Sequence, residues 1–488
     1  MACRRSERSI SGLPPRNAGP ATLRRENRYT RTVIASPEDD PGRASSVAIV
    51  GGGPGGLLTA LFLQRSASRP IRTTIFEASG RLGGKILTPT FSAAPVRYEA
   101  GAAEFYDYTP VGADPLRGLV AELGLPTTPL GGASVIMGGQ PLSNLDDIAD
   151  SLGHDAHRDL LEFDNHARGG MTPREFYSSD DGQPAAPAVF TRVLDQINTP
   201  AVRRYVETLI HSDLATEPAL TSASYGLQNY LMNDPAYMRL YSIAGGNDQL
   251  IAAIVARIDA TVRLGTRVTS IGSGTAGSLR ITAQAAGREL TTNFDAVVVA
   301  LPIQQITALT FEGARLAAAM RRHCEEHDHP AHYLRITALF EEPFWRGTID
   351  GSYLMLDAFG GCCLYDESSR EPESRHGVLG WLLGGRAAVE MAEDNDEHLI
   401  SLALDSLPPA FHQARSRLVE ARVHRWAGAV SSLPGGWRPQ GIDRRHQPEP
   451  IDHPQLFVVG DYLYDSTLNG VLDSADHVAG WLAALTAV

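Results

Sequence analysis

The stretch from 46 to 60, SVAIVGGGPGGLLTA, constrains this chain more than any other. A short β-branched run at 47–50 enters the turn Gly51-Gly52-Gly53-Pro54-Gly55-Gly56, and a helical pattern follows from Leu57. Glycine at the first, third and sixth places permits a tight turn, close approach of a pyrophosphate to the backbone, and close packing of helix on strand. The helix N-terminus then faces the phosphates with its free amides. A second strand at 73–76 ends in Glu77, twenty-one residues after Gly56, where a carboxylate can accept hydrogen bonds from ribose hydroxyls. Strand, glycine turn, helix, strand and acid in this order predict a dinucleotide-binding unit that uses Gly51, Gly53, Pro54, Gly55, Gly56 and Glu77. They do not separate NAD from FAD.

With 488 residues the chain exceeds the size at which one core usually divides, so two structural domains are expected. The formal charge of -13 argues against a nucleic-acid partner, and no apolar run is long enough for a transmembrane segment. Residues 1–45 carry nine arginines among Pro, Ser and Asn without apolar periodicity, which reads as a disordered tail. Four cysteines, Cys3, Cys324, Cys362 and Cys363, have neither disulfide nor zinc spacing, so a cytoplasmic location is expected. Lys85 is the single lysine in the chain.

Near the C-terminus, an apolar strand at 456–459 runs into Gly460-Asp461, and Val471, Ala475, Val478, Leu482 and Leu485 recur at helical spacing, so a helix should start near Gly470. Between the ends, SIAGGNDQL at 242–250 places a glycine pair before a helix. Residues 265–268 start a strand, 281–283 and 290–292 read as a hairpin, and 295–300 as a buried strand. Residues 202–210 look helical, polar loops are expected around Gly169 and 178–187, and 335–344 reads as an alternating strand.

After Glu77 the chain continues Ala78-Ser79-Gly80-Arg81-Leu82-Gly83-Gly84-Lys85, which resembles the E-A-x-x-R-x-G-G-R segment of the flavin amine oxidase superfamily. The Gly460-Asp461 turn before a helix resembles that superfamily's closing motif. The resemblance spans most of the chain in motif order. It implies non-covalent FAD, since Gly428-Ala429-Val430 stands where some members carry a linking cysteine. It further implies contacts from Ala78, Arg81, Gly83 and Gly84, a cation at Lys85 that offsets phosphate charge, backbone of Val268 against adenine, and Gly460 and Asp461 at the ribityl chain. Backbone amides of Gly470 and Val471 would face the flavin. The implied fold class is α/β, with a Rossmann-like FAD-binding domain of the two-dinucleotide-binding-domain type assembled from 46–129, 239–310 and 416–488, and an α+β substrate domain from 130–238 and 311–415.

Two further departures limit the chemistry that carries over. The lysine that many amine oxidases hold near flavin N5 corresponds to Arg335, which cannot act as a neutral base but could order water or bind a carboxylate. Val430 and Thr467 occupy the places of two cage tyrosines. Candidate substrate contacts are Glu104, Tyr106, Arg239, Tyr241, Trp437, Asp465 and Thr467, chosen for their place beside flavin-contact segments. The leading expectation is oxidation of a small amine or amino acid by hydride transfer to flavin N5, giving an imine and, with O2 as acceptor, H2O2; another electron acceptor stays open. The alternative is a C-C desaturase or dehydrogenase of the phytoene desaturase or protoporphyrinogen oxidase kind. A binding protein like the GDP-dissociation inhibitors is a third reading, opposed by the intact Glu77, Gly83-Gly84 and Gly460-Asp461. Oligomeric state is not legible.

Overall fold

Continuous apolar runs form strands buried on both faces, and this chain places three such runs, at 47–50, 296–299 and 456–458, side by side. In the computed structural model, a five-stranded parallel sheet has the order Leu456–Val458, Ala296–Val299, Ser45–Val50, Ile71–Phe76, Ala260–Arg263. Residues 44–486 are described, apart from 133, 179–187, 348–350, 372, 438–439 and 465. Residues 1–43 of the expected tail, most of the polar loop at 178–187, and Asp465 therefore lie outside the described residues, while Ser45, expected in the tail, opens the first strand.

The sheet divides two cores. Val47, Ile49 and Val298 pack on one side with Leu57, Leu61 and Val478, which come from the helices Pro54–Ser66 and Leu468–Thr486. Ala48, Val50, Val297 and Val299 pack on the other with Ile271, Ile281 and Met320. The expected hairpin is present as Leu279–Ala285 against Arg288–Phe294, with Ile281 opposite Thr292. It joins Thr266–Ser273 and Thr310–Phe311 in a four-stranded sheet.

A seven-stranded sheet has Pro330–Phe340 between Leu418–Ser431 and Gly377–Gly384, and continues through Cys362–Asp366, Tyr353–Leu356, Ser134–Met137 and Gln140–Leu142. Leu418–Ser431 pairs along most of Pro330–Phe340, so this sheet runs past the expected boundary at residue 415. A three-stranded sheet places Arg239–Ile243 between Phe105–Asp107 and Thr127–Leu130.

Three local expectations need correction. The strand expected at 335–344 is Pro330–Phe340, and Leu334 to Phe340 are all buried rather than alternating, because the strand is central and covered on both faces. Gly169 lies inside the helix His154–Gly170, where Ala156, Leu160, Phe163 and Ala167 form a buried stripe that overrides the polar composition. The last helix starts at Leu468, two residues earlier than Gly470, where Thr467 provides a hydroxyl cap. Among the described residues, no helix is long and apolar enough to cross a membrane.

Candidate active site

The glycines of the first turn serve different ends. Gly51 holds φ +112°, and a Cβ there would lie 2.4 Å from the Ala300 carbonyl oxygen. A Cβ on Gly56 would lie 2.1 Å from the Gly51 carbonyl oxygen. Packing of the chain on itself demands both. Gly53 is open: the nearest atom its Cβ would meet is Gly84 Cα, at 3.8 Å. Gly84, at φ +53°, faces it from the second glycine pair, and the Gly83 N–H donates to the Gly52 carbonyl at 2.8 Å. The two turns thus make a cradle of bare backbone. The helix behind it begins at Pro54 without a side-chain cap, which leaves its first amides for an anion. This fits a diphosphate.

Glu77 sits at the end of its strand and accepts from the Gly52 N–H at 2.9 Å and the Ser79 N–H at 2.8 Å. Its oxygens retain lone pairs for ribose hydroxyls, and Ala78 beside it is exposed. Arg81 folds back on its own turn, donating to the Gly84 carbonyl at 2.6 Å and the Leu82 carbonyl at 3.2 Å, so it shapes the cradle rather than projecting into it. Lys85 is placed differently from the phosphate role expected of it. Its ammonium pairs with Asp461 at 3.0 Å and donates to the Ala429 carbonyl. Val268 lies in the Thr266–Ser273 strand opposite Ala283, its side chain buried against Phe76 and Ile281.

From Pro54 and Val471 a cleft of about 980 Å³ runs past Lys85 and Asp461 to Glu104, Tyr106, Tyr333 and Trp426. Strand alternation explains two of these: Phe105 points into the core, so Glu104 and Tyr106 emerge on the opposite face. Tyr333 and Trp426 are cross-strand partners of the seven-stranded sheet. Thr467 also lines the cleft. Its hydroxyl accepts from the Gly470 N–H at 3.0 Å and its carbonyl from the Val471 N–H at 3.2 Å. These two amides, expected to face a flavin, are engaged within the helix cap. The amides at the helix start that Thr467 does not engage are those of Leu468 and Asn469. Gly460 is extended, at φ 177°, and its N–H donates to Ser474 Oγ at 3.2 Å.

Burial sets the electrostatics of the far end. It raises the Glu104 carboxyl, opposed by the Tyr365 hydroxyl and by Arg335 and Arg370. It holds the Tyr106 and Tyr333 phenols well above their usual range.

Four expected residues stand elsewhere. Arg335 is 0% exposed and is not in the lining of the cleft. Its Nε donates to the Glu99 carbonyl at 2.6 Å, its Nη2 pairs with Glu367, and the guanidinium lies over the Tyr365 ring. Arg370 pairs with Glu99 at 3.4 Å in the same buried network, and burial pushes Glu99 up to about 7. Arg335 therefore holds the sheet floor together, and is neither at substrate nor at solvent. Tyr241 is in the core beneath Arg117. Arg239 is exposed at the start of its strand. Trp437 donates to the Glu326 carbonyl at 3.0 Å and packs on His327 and His329.

Tyr333, Trp426 and Leu382 line the cleft without having been anticipated. A signal existed for Tyr333: it lies two residues before Arg335 on one strand, hence on the same face.

A family model for flavin-containing amine oxidoreductases matches residues 54–481. In fold the chain is similar to cyclohexylamine oxidase from Brevibacterium oxydans IH-35A, with a TM-score of 0.68 and 19% identity over 91% of this chain and 100% of that one. It is similar also to wild-type putrescine oxidase bound to putrescine, with a TM-score of 0.67 and 18% identity over 91% and 99%. In sequence it is similar to prenylcysteine oxidase 1-like from Bos taurus, 33% identical over 109 residues, which is 22% of this chain and 21% of that protein. With a backbone cradle for a diphosphate, a cleft leading from it, and a family match over most of its length, the chain belongs to the flavin-containing amine oxidoreductases and is an FAD-dependent oxidoreductase.

Proposed function

We propose that this enzyme oxidises a small amine at its C-N bond. One observation carries the reading: the substrate end of the cleft offers the Glu104 carboxyl and the rings of Tyr106, Tyr333 and Trp426, while the lysine in its lining is engaged by Asp461. That surface suits an ammonium or amine, through charge and ring faces, better than a carboxylate. Among the two expected substrate classes, amines are favoured over amino acids, because the arginine proposed to bind a carboxylate is sequestered by Glu367.

FAD, bound non-covalently, supplies the two-electron acceptor. Gly53, Gly83 and Gly84 admit its diphosphate, Glu77 its ribose, Val268 its adenine and Asp461 its ribityl chain. Lys85 holds Asp461 in place and balances its charge. The Leu468 and Asn469 amides, at the start of the last helix, take the flavin-edge role expected of Gly470 and Val471.

The amine loses two electrons and two protons to become an imine, and O2 takes up both to become H2O2. Tyr106 and Tyr333 keep their phenolic protons through neutral pH, so neither takes a proton from the substrate amine. The walls position its C-H bond.

The test is anaerobic addition of amines and amino acids to the FAD-loaded enzyme while its visible absorbance is followed. Bleaching by amines, with peroxide formed when air is admitted, is the expected result. A flavin unmoved by any amine moves the assignment to C-C dehydrogenation.

A further inference from the structure

Few side chains in the cleft could take a proton, and most of them are committed. Lys85 and Asp461 hold each other at 3.0 Å. Burial keeps the phenolic protons of Tyr106 and Tyr333 in place. The Trp426 indole donates to the Ala100 carbonyl at 2.7 Å, Ser466 donates to the Ser431 carbonyl, and the Thr467 hydroxyl caps the last helix. Among the described residues of the lining this leaves Glu104, which is partly exposed and whose Oε2 is buried without a hydrogen-bond partner.

Glu104 and Tyr106 also face a small second chamber behind the cleft. Met232, Met238, Leu240 and Met355 make its walls apolar, and Asp213, from the last turn of the helix Pro200–Leu214, is its second carboxyl. The space suits ordered water, not the length of an organic ligand. The two acids stand in unlike surroundings. Burial raises the Glu104 carboxyl, but the Tyr365 hydroxyl, Arg335 and Arg370 favour its charged form, against the repulsion of Glu367. Among the described residues no cation pairs with Asp213, and burial together with the charge of Glu104 pushes it up to about 8. The Tyr353 and Tyr365 phenols and the Cys363 thiol, on the same chamber, are held protonated by burial. When the two carboxyls hold one proton between them, Asp213 keeps it and Glu104 is the carboxylate.

We propose that Glu104 is the proton acceptor for the substrate ammonium, with Asp213 as its protonated partner across the water-sized chamber. This deepens the amine-oxidising reading and rests on it. An N–H bond of the ammonium breaks, the proton goes to a Glu104 oxygen, and the electron pair stays on nitrogen. The neutral amine then gives up the hydrogen and electron pair of its C–H bond to the flavin, while the nitrogen lone pair forms the C=N bond of an iminium. O2 takes that hydrogen and electron pair with the proton held by Glu104 to become H2O2, and the carboxylate is restored. Burial makes this carboxylate a stronger base than an exposed one, which suits it to an ammonium. Arg335, fully buried and always charged, cannot do this work.

Two measurements on the FAD-loaded enzyme test the assignment. The first is the rate of anaerobic bleaching by n-butylamine between about pH 7 and about pH 9, in wild type and Glu104→Gln. The wild type draws on the ammonium, so its rate should change by less than about tenfold across this range. Glu104→Gln must wait for the free amine, whose ammonium titrates like that of lysine near about 10.4, so its rate should be down about a hundredfold at about pH 7 and climb about tenfold per pH unit. A loss of equal size at every pH would give Glu104 a structural role and overturn the proposal, as would a variant as fast as wild type. The second measurement is calorimetric binding of tert-butylamine, which has no C–H bond beside nitrogen to oxidise, in two buffers of different ionisation heat. Wild type should bind it without net proton release, whereas Glu104→Gln should release about one proton per amine bound. Equal proton counts would overturn the acceptor. If neither n-butylamine nor any other amine bleaches the wild-type flavin, amine oxidation falls, and the difference in proton count then decides alone whether Glu104 takes a proton from a bound amine.

Discussion

The two ends of the cleft are built by different means. The dinucleotide end is made of backbone: Gly51, Gly53 and Gly56 in one turn, with Gly83 and Gly84 in a second turn some thirty residues on. The substrate end is made of side chains, Glu104, Tyr106, Asp213, Tyr333 and Trp426, delivered by four separate stretches of sequence on strands and a helix. Where function needs backbone conformation, the residue type is dictated locally and a spacing rule suffices. Where it needs side-chain direction, the outcome depends on which strands pair and which face they turn.

The sharpest way to break this contrast lies inside the glycine turn. Gly56→Ala forces a Cβ to within 2.1 Å of a carbonyl oxygen, a contact that packing cannot absorb. The expected result is loss of FAD together with a destabilisation of the apoprotein of about 4 kcal/mol or more. Gly53→Ala meets nothing closer than 3.8 Å. Its apoprotein should melt within a degree or two of wild type, while FAD affinity falls about a hundredfold because the methyl occupies the diphosphate's approach. Denaturant titration of both apoproteins, with FAD binding measured separately, checks this. A Gly53→Ala protein that binds FAD normally would remove the cradle from the argument.

This is also why legibility was uneven. Glu77 and the Gly460-Asp461 turn could be placed because each ends a strand whose apolar run is visible. The importance of Lys85 could be suspected from its being the single lysine, but its partner Asp461 lies 376 residues away and no local pattern names it. Tyr333 and Arg335 share one strand face, yet whether that face meets a cleft or a buried floor depends on Glu99 and Glu367, which arrive from elsewhere in the chain. Asp213 sits in an ordinary helical repeat, where an acid at a C-terminal turn looks like a solvated residue.

Arg335 gives the next largest effect and tests whether the floor of the substrate end is structural. Arg335→Met leaves Glu367 buried at 5% exposure without its cation, which should cost about 3–5 kcal/mol. Combining it with Glu367→Gln should recover part of that loss, since no buried charge is then left alone. Equilibrium unfolding of the two single variants and the double variant measures the coupling. If Arg335→Met keeps wild-type stability yet loses turnover, the residue acts on the reaction and the distinction between floor and cleft drawn above fails.

The smallest expected effect concerns Asp213, and its sign follows from its proton. An unfolded aspartate titrates near 3.8, whereas in the folded protein burial beside Glu104 makes Asp213 hold its proton up to about 8. Between these limits the native state binds more protons than the unfolded state, so stability falls as pH rises from about 4 and levels off above about 8. Asn cannot titrate. Asp213→Asn should therefore match wild type near pH 4 and exceed it increasingly up to pH 8, by on the order of 1–3 kcal/mol, less than full linkage because the carboxyl opens onto the chamber. Unfolding of the apoprotein by urea across this range reads the difference directly. A gap that stays constant with pH would mean that Asp213 titrates as an ordinary surface acid, and its carboxyl would then not be buried at the substrate end as the structure places it.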